Sequence, residues 1–453
     1  MSSLLKDIAK VIERAKVQAA NVKPQEFTLT EEIGQHTQNR LFCGDNIHLI
    51  KAMTMDPKWK GKIQMIYLDP PFFSKADYDA VLSTDGDKVK HLAYNDRWKH
   101  GMYEYLRQLT ARLILMKDLL SDEGLIFLHL DWHAVHYAKV VMDEIFGEQN
   151  FVNEIIWTYK SGGSTKRRFS RKHDNILVYS KTSKYMFHAL KEKSYNRGFK
   201  PYHFKGVQEY RDEVGWYTMV NMKDVWNIDM VGRTSAERTG YATQKPEALL
   251  ERIIDCCTNE NDICADFFCG SGTLPAVAVR KGRKFVACDN GALAIENTIG
   301  RIASQRGRLK VYSTRPLEDA LVKSLRPRFE AELHAEVRDI VSSPQKILQI
   351  SLENVKERRL EQEMNEKSAA QVRKIEKEKP LDLVQAWSID YNFDGKVFRP
   401  KEIYLRRNGK LQTTSEKMID ALEAQHLDHI VVKIVDIMGN VSFQRLEEIT
   451  FFD

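Results

Sequence analysis

Short apolar runs with little polar alternation recur along this chain, and between them apolar residues return at steps of three and four. The runs at Ile63 to Leu68, "LIFLHLD" (125–131), "ICADFF" (263–268) and "KFVACDN" (284–290) lack the polar face of a half-exposed strand. Such strands are buried on both sides, as in a parallel sheet covered by helices. One intervening stretch carries Leu106, Leu109, Leu113, Met116 and Leu120 on a single stripe, with Gly124 set to end it. Another, "HAVHYAKVVMDEIFG", closes at Gly147. Strand and helix alternate onward from "RLFC" at 40–43, which predicts an α/β doubly wound sheet with a mostly parallel core. At 453 residues and 43% hydrophobic content, the chain can bury a large core and divide into two or three domains.

Charged residues interrupt the first twenty positions at helical spacing, and no apolar run is long enough to span a bilayer, so a cytoplasmic protein without membrane contact is expected. The six cysteines, Cys43, Cys256, Cys257, Cys264, Cys269 and Cys288, sit mostly in apolar runs without metal-ligand or disulfide spacing. Buried thiols and no metal are expected. His133 and His136 lack a third ligand and are read as structural.

The net charge of +6 is unevenly spread. From Tyr159 to Asp212 there are 14 Lys or Arg against 4 Asp or Glu, or +10, leaving −4 for the remainder. Lys166, Arg167, Arg168, Arg171, Lys172, Lys200 and Lys205 alternate there with Phe169, Tyr185, Phe187, Tyr195, Phe199, Tyr202, Phe204 and Tyr210. Cations for phosphates and flat rings for bases make a nucleic-acid surface; a merely solvated basic face is the competing reading.

Ligands in an open α/β sheet bind at the carboxyl ends of its strands. "DFFCGSGT" supplies a tight turn at Gly270 and Gly272 before a helix, but Pro275 stands where a dinucleotide fingerprint needs a third glycine. Asp289, ending the next strand, is placed for ribose hydroxyls. Asp69-Pro70-Pro71-Phe72 ends another strand where no proline can continue a ladder. That turn presents a carboxylate, the Pro70 carbonyl and an aromatic ring. The two oxygens can accept both hydrogens of an exocyclic amino group, freeing its lone pair, while Phe72 stacks on the ring that carries it. A base must leave its duplex to reach such a site.

Together, "DPPF" (69–72), "FFCGSGT" (267–273), "TQKPEALLERII" (243–254) and "DEIFGEQNF" (143–151) resemble DNA amino-methyltransferases of the beta class, similar to type III modification subunits and to solitary adenine methyltransferases. The resemblance covers about residues 38 to 305. It implies a Rossmann-like, circularly permuted sheet, with the catalytic motif before the cofactor motif, that uses S-adenosyl-L-methionine. The cofactor's methionine part is expected against Phe268, Cys269, Gly270, Ser271, Gly272 and Thr273, its ribose against Asp289 and Asn290, and its amino-acid end beside Thr243, Gln244, Lys245 and Pro246. Asp45 is expected near its adenine. The catalytic tetrad carries over as Asp69, Pro70, Pro71 and Phe72; Phe72 stands where Tyr is commoner, and Phe73-Ser74 where Asn-Thr is.

The implied division is an N-terminal helical extension (1–37), a catalytic half (38–181), a target-recognition region (182–239), a cofactor half (240–315), a charged helical connector (316–382) and a small α+β appendage (383–453). Methylation of carbon 5 of cytosine needs a Pro-Cys nucleophile, and no Pro-Cys pair occurs. Aspartate in the first tetrad position favours N6 of adenine in double-stranded DNA. N4 of cytosine, an RNA substrate, and a catalytically idle recognition subunit partnered with a restriction endonuclease remain as alternatives. A homodimer is also implied.

Overall fold

The computed structural model describes all residues except 1–3, 84–87, 161–164, 233–234, 318–328, 358–365, 408, 421–422, 424–426, 447 and 453. The Gly-Gly loop at 162–163 lies outside the described residues. The chain opens with α1 (Leu4–Asn21), β1 (Thr28–Ile33), β2 (Arg40–Cys43), α2 (Asn46–Met55) and β3 (Ile63–Leu68). There follow β4 (Asp77–Ser83), β5 (Lys88–Asn95), α3 (Gly101–Leu119), β6 (Leu120–Leu130), α4 (Val135–Phe146), β7 (Phe151–Thr158) and β8 (His173–Ser180). Four short strands come next: β9 (Lys191–Tyr195), β10 (Glu209–Arg211), β11 (Trp216–Asn221) and β12 (Val225–Asn227). The second half adds α5 (Glu247–Cys257), β13 (Ile263–Asp266), α6 (Thr273–Arg280), β14 (Lys284–Asp289), α7 (Ala292–Ser304) and β15 (Leu309–Ser313).

Ten strands make one sheet in the order β1-β15-β2-β14-β13-β3-β6-β8-β7-β12. From β15 to β6 every pairing is parallel; β1 and β8 bring antiparallel partners to either side. The unalternating runs are the covered central strands, as their composition requires: all six residues of β3 are buried. One face packs on α1 to α4 through Leu68, Leu106, Met116 and Phe146, the other on α5 to α7 through Tyr67, Leu250, Val277 and Ile302.

Gly124 does not end α3. That helix stops at Leu119, and Gly124 sits inside β6 at a register shift against β3, where a Cβ would meet the Ile63 and Gln64 carbonyls at 3.0 and 3.1 Å. Glycine is required there by backbone approach within the sheet. Before "NDRW", β4 and β5 pair antiparallel with each other. Between β8 and α5, β9, β10 and β11 form a separate antiparallel sheet, and β12 joins the main sheet beside β7.

The charged connector is also corrected. Phe329–Asp339 and Lys346–Glu357 are paired antiparallel strands, and among the described residues the α-helix is α8 (Glu366–Glu378); the charged run at 358–365 lies outside them. These two strands join Thr414–Ile419 and Thr450–Phe452 in one four-stranded sheet. A second holds Val384–Asp390, Glu402–Leu405, Val431–Asp436 and Val441–Arg445. The C-terminal unit docks on the large sheet: Phe398 exchanges backbone hydrogen bonds with Thr30 and Glu32 of β1, and Lys433 is buried between Glu31 and Glu296. At Gly439 a Cβ would fall 2.5 Å from the Leu293 backbone, so this turn lies flush on the start of α7.

Candidate active site

Three neighbouring parallel strands, β3, β13 and β14, each end at an aspartate: Asp69 just beyond β3, Asp266 closing β13 and Asp289 closing β14. A cleft at this edge is lined by all three, together with Tyr67, Pro71, Lys245 and the glycine turn. Wider clefts open between α7 and the C-terminal unit, around Asn297, Trp387 and Arg406, but they lack this convergence of strand ends.

Lys245 Nζ lies 2.5 Å from Asp69 Oδ2 and 5.2 Å from the centre of the Phe72 ring. Nothing in the local sequence pattern announces this ion pair. Asp69 Oδ1 is buried with no hydrogen-bond partner among the described residues, and none of them donates to the Pro70 carbonyl. A buried carboxylate oxygen without a donor can accept one. Phe72 is half-buried, its ring 5.7 Å from that of His129.

The chain beyond Phe72 turns sharply, with Phe73 at φ 63°. Buried Asp96 holds the turn, accepting from Phe73 N–H (3.1 Å), Ser74 N–H (2.6 Å), Ser74 Oγ (2.8 Å) and Trp98 Nε1 (3.0 Å). Phe73 packs on Tyr105 in the core. The two unusual residues after the tetrad therefore brace its loop.

Across the cleft, Gly270 at φ 47° lies under the Tyr241 ring, which a Cβ would approach to 3.2 Å. Asp289 accepts from Gly270 N–H and Gly291 N–H, each at 2.9 Å, and so ties the glycine turn to β14. Burial raises the Asp289 carboxyl above its usual range against these donors. Burial pushes Asp266 well above its range too, and the nearby Asp69 and Asp289 charges add to the rise. Asp266 was missed from the sequence, although it obeys the strand-end rule that picked out Asp69 and Asp289. A cationic guest, such as a sulfonium with an α-ammonium, would favour the ionised forms of these carboxyls.

Thr243, Gln244, Phe268, Cys269, Ser271, Thr273 and Asn290 also line the cleft. Gln244 bridges Thr239 and Glu237, and Thr273 Oγ1 donates to the Lys245 carbonyl at 3.1 Å, joining the TQKP segment to the turn. Three of the residues expected at the cofactor stand back from the cleft. Pro246 caps α5. Asp45 caps α2 through Ile47 N–H and pairs with Arg112 at 2.9 Å. Gly272 faces helix α7, where a Cβ would meet Thr298 Oγ1 at 2.5 Å and Cα at 2.9 Å.

Lys166, Arg167, Arg168 and Arg171 are exposed and Lys172 is half-buried on the β7–β8 connection, beside Phe169, which is 97% exposed. This connection sits at the cleft's edge of the sheet, because β8 begins opposite the end of β6. Arg171 stacks on Trp132 at 3.5 Å. Lys200 and Lys205 are exposed on a different element, the connection between β9 and β10.

A family model of DNA methylases, the N6/N4 methyltransferases, matches residues 63–299, and the chain belongs to that family. It is an S-adenosylmethionine-dependent, site-specific DNA methyltransferase. It is 27% identical over 335 residues to the type II methyltransferase M.EcaI of Enterobacter cloacae, covering 60% of this chain and 71% of that one. To the EcoP15I Mod subunit, a type III restriction-modification enzyme of Escherichia coli, it is 26% identical over 176 residues, or 36% of this chain and 27% of that one. Among solved structures, the M1.HpyAVI-SAM complex matches with a TM-score of 0.38 at 18% identity, covering 58% of this chain and 99% of that one. Among the described residues no helix is long and apolar enough to cross a membrane.

Proposed function

We propose that this enzyme methylates N6 of adenine in double-stranded DNA, on a base flipped out of the helix onto Asp69, Pro70, Pro71 and Phe72. The observation that carries the reading is the unpaired, buried Asp69 Oδ1. With the Pro70 carbonyl it offers two acceptors to one amino group, and Phe72 offers a stacking face. Accepting both N–H hydrogens localises the nitrogen lone pair and aims it at an electrophile. Lys245 holds the other Asp69 oxygen, so the carboxylate keeps one orientation.

S-adenosylmethionine, when bound, supplies an electrophilic methyl group on a sulfonium. Phe268, Cys269, Gly270, Ser271 and Thr273 of the turn, with Asp266, Asp289, Asn290, Thr243 and Gln244, are the residues that would hold it. The carboxyl groups of Asp266 and Asp289 and the close-fitting Gly270 suit such a cation. The order of motifs, catalytic before cofactor, is that of a permuted methyltransferase. We assign target recognition to 182–239, with the cationic β7–β8 connection holding backbone phosphates. The restriction-modification relatives add a cognate nuclease to this reading.

The test is transfer of a labelled methyl group to bacteriophage DNA from a methylation-deficient host, followed by separation of the nucleosides. Label in N6-methyldeoxyadenosine supports the adenine reading; label in N4-methyldeoxycytidine transfers the same geometry to the other amino base.

A further inference from the structure

Behind the cleft wall, four buried or half-buried polar side chains form a chain of hydrogen bonds that the methyl-transfer reading leaves unused. Tyr67 lies two residues before Asp69 on the extended backbone, so both point to the same side, and both line the cleft. Its hydroxyl is 2.8 Å from His129 Nδ1. His129, fully buried on β6, places Nε2 3.4 Å from Asp174 Oδ2, and the other Asp174 oxygen accepts from Tyr159 Oη at 3.1 Å. The His129 ring also lies against Phe72 and against Trp157, with centres 5.7 and 5.4 Å apart.

The polarity of the chain follows from its ends. Asp174 ends the chain as an acceptor: Tyr159 Oη donates to one of its oxygens and His129 Nε2 faces the other. We place the imidazole proton on Nε2, facing this acceptor, which leaves Nδ1 as a lone pair that needs a donor. Tyr67 provides it, since burial keeps its hydroxyl protonated. With its proton committed to His129, the Tyr67 oxygen turns only lone pairs toward the cleft.

We propose that His129 is a positioning residue for methyl transfer: it fixes the Tyr67 hydroxyl as an acceptor on the cleft wall and backs the Phe72 ring on which the target base stacks. The proposal rests on the reading of this cleft as the transfer site. Asp174 sets the polarity. In Asp174→Asn the amide donates to Nε2, the imidazole proton moves to Nδ1, and the Tyr67 hydroxyl proton is turned toward the cleft. A wrong tautomer in intact geometry is a severe defect in other imidazole-dependent sites.

The experiment measures kcat and KM with S-adenosylmethionine and unmethylated bacteriophage DNA for Tyr67→Phe, Asp174→Asn, the double variant and Asp69→Ala, with thermal unfolding of each. Tyr67→Phe and Asp174→Asn should each lower kcat roughly 10- to 100-fold, with both KM values within about twofold of the parent. The double variant should be no slower than the slower single, because both act through one oxygen. Parental kcat in either single variant, a loss confined to KM, or additive losses in the double variant would each overturn the proposal. If Asp174→Asn fails to fold, Tyr67→Phe decides alone, because it removes one oxygen and leaves the ring. Asp69→Ala separates the two levels: activity there defeats the transfer-site reading itself, whereas an inactive Asp69→Ala beside a fully active Tyr67→Phe defeats only the role of His129.

Discussion

Asp69 and Asp266 end adjacent strands yet sit in opposite states: one carboxylate is paired with an ammonium and keeps an open oxygen, the other is pushed toward neutrality by burial. Both positions were legible by one rule, that acids closing apolar strands face the ligand edge, though only Asp69 was drawn from it. The Tyr67–His129 and His129–Asp174 contacts were not legible, because they join residues 62 and 45 positions apart whose neighbours say nothing of each other. Gly272 shows the reverse case. Its motif marks it for close approach, and the approach is to helix α7. Gly272→Ala, at φ 72° and with its Cβ 2.9 Å from Thr298 Cα, should destabilise the fold by about 1–3 kcal/mol in denaturant titrations. Calorimetry should find cofactor affinity retained in the folded fraction; weakened binding at full stability would place Gly272 against the cofactor instead.

Elements were readable where periodicity and burial coincide. The central strands announced themselves by unbroken apolar composition, and α3 by its stripe of Leu106, Leu109, Leu113 and Met116, whereas β1 ("TLTEEI") is polar and was invisible as a strand. In Phe329–Asp339, Ala331, Leu333, Ala335 and Val337 alternate with charged or polar residues, a period of two that the density of charge concealed within a presumed helical connector. The loop after the tetrad is a further element, defined by tertiary contacts: Asp96 accepts from four donors there. Asp96→Ala removes the acceptor that these four bonds share, and we expect it to cost roughly 2–4 kcal/mol in stability. Because the same bonds place Phe72, kcat should fall in folded protein even at saturating DNA. An Asp96→Ala enzyme of parental kcat would detach the loop from catalysis.

For the whole molecule, the docking of the C-terminal unit centres on Lys433 between Glu31 and Glu296. Lys433→Met strands two buried carboxylates and should destabilise by about 3–5 kcal/mol at pH 8. Burial pushes Glu296 up to about 7, with the Lys433 ammonium opposing and the Glu31 charge adding to the rise. A carboxyl whose folded value lies above its unfolded one binds more protons when folded, so its contribution to stability falls as pH rises from about 4.5 to about 7. Thermal unfolding of Glu296→Gln against the parent should show the variant gaining on the parent across that window; a constant gap would contradict the assignment. The cationic edge belongs to this scale too. Replacing Lys166, Arg167 and Arg168 with alanine should weaken DNA binding broadly across sequences and reduce the slope of log affinity against log salt by about 1 for each phosphate that is no longer neutralised. An unchanged slope would move the DNA elsewhere.

The central claim is that a methyl group reaches an amino nitrogen of DNA at Asp69. Mass spectrometry of nucleosides from a methylation-deficient host expressing the parent or Asp69→Ala tests it most directly. The account predicts N6-methyldeoxyadenosine with the parent alone; the same mark from both proteins, or no methylated base from folded parent, would contradict it.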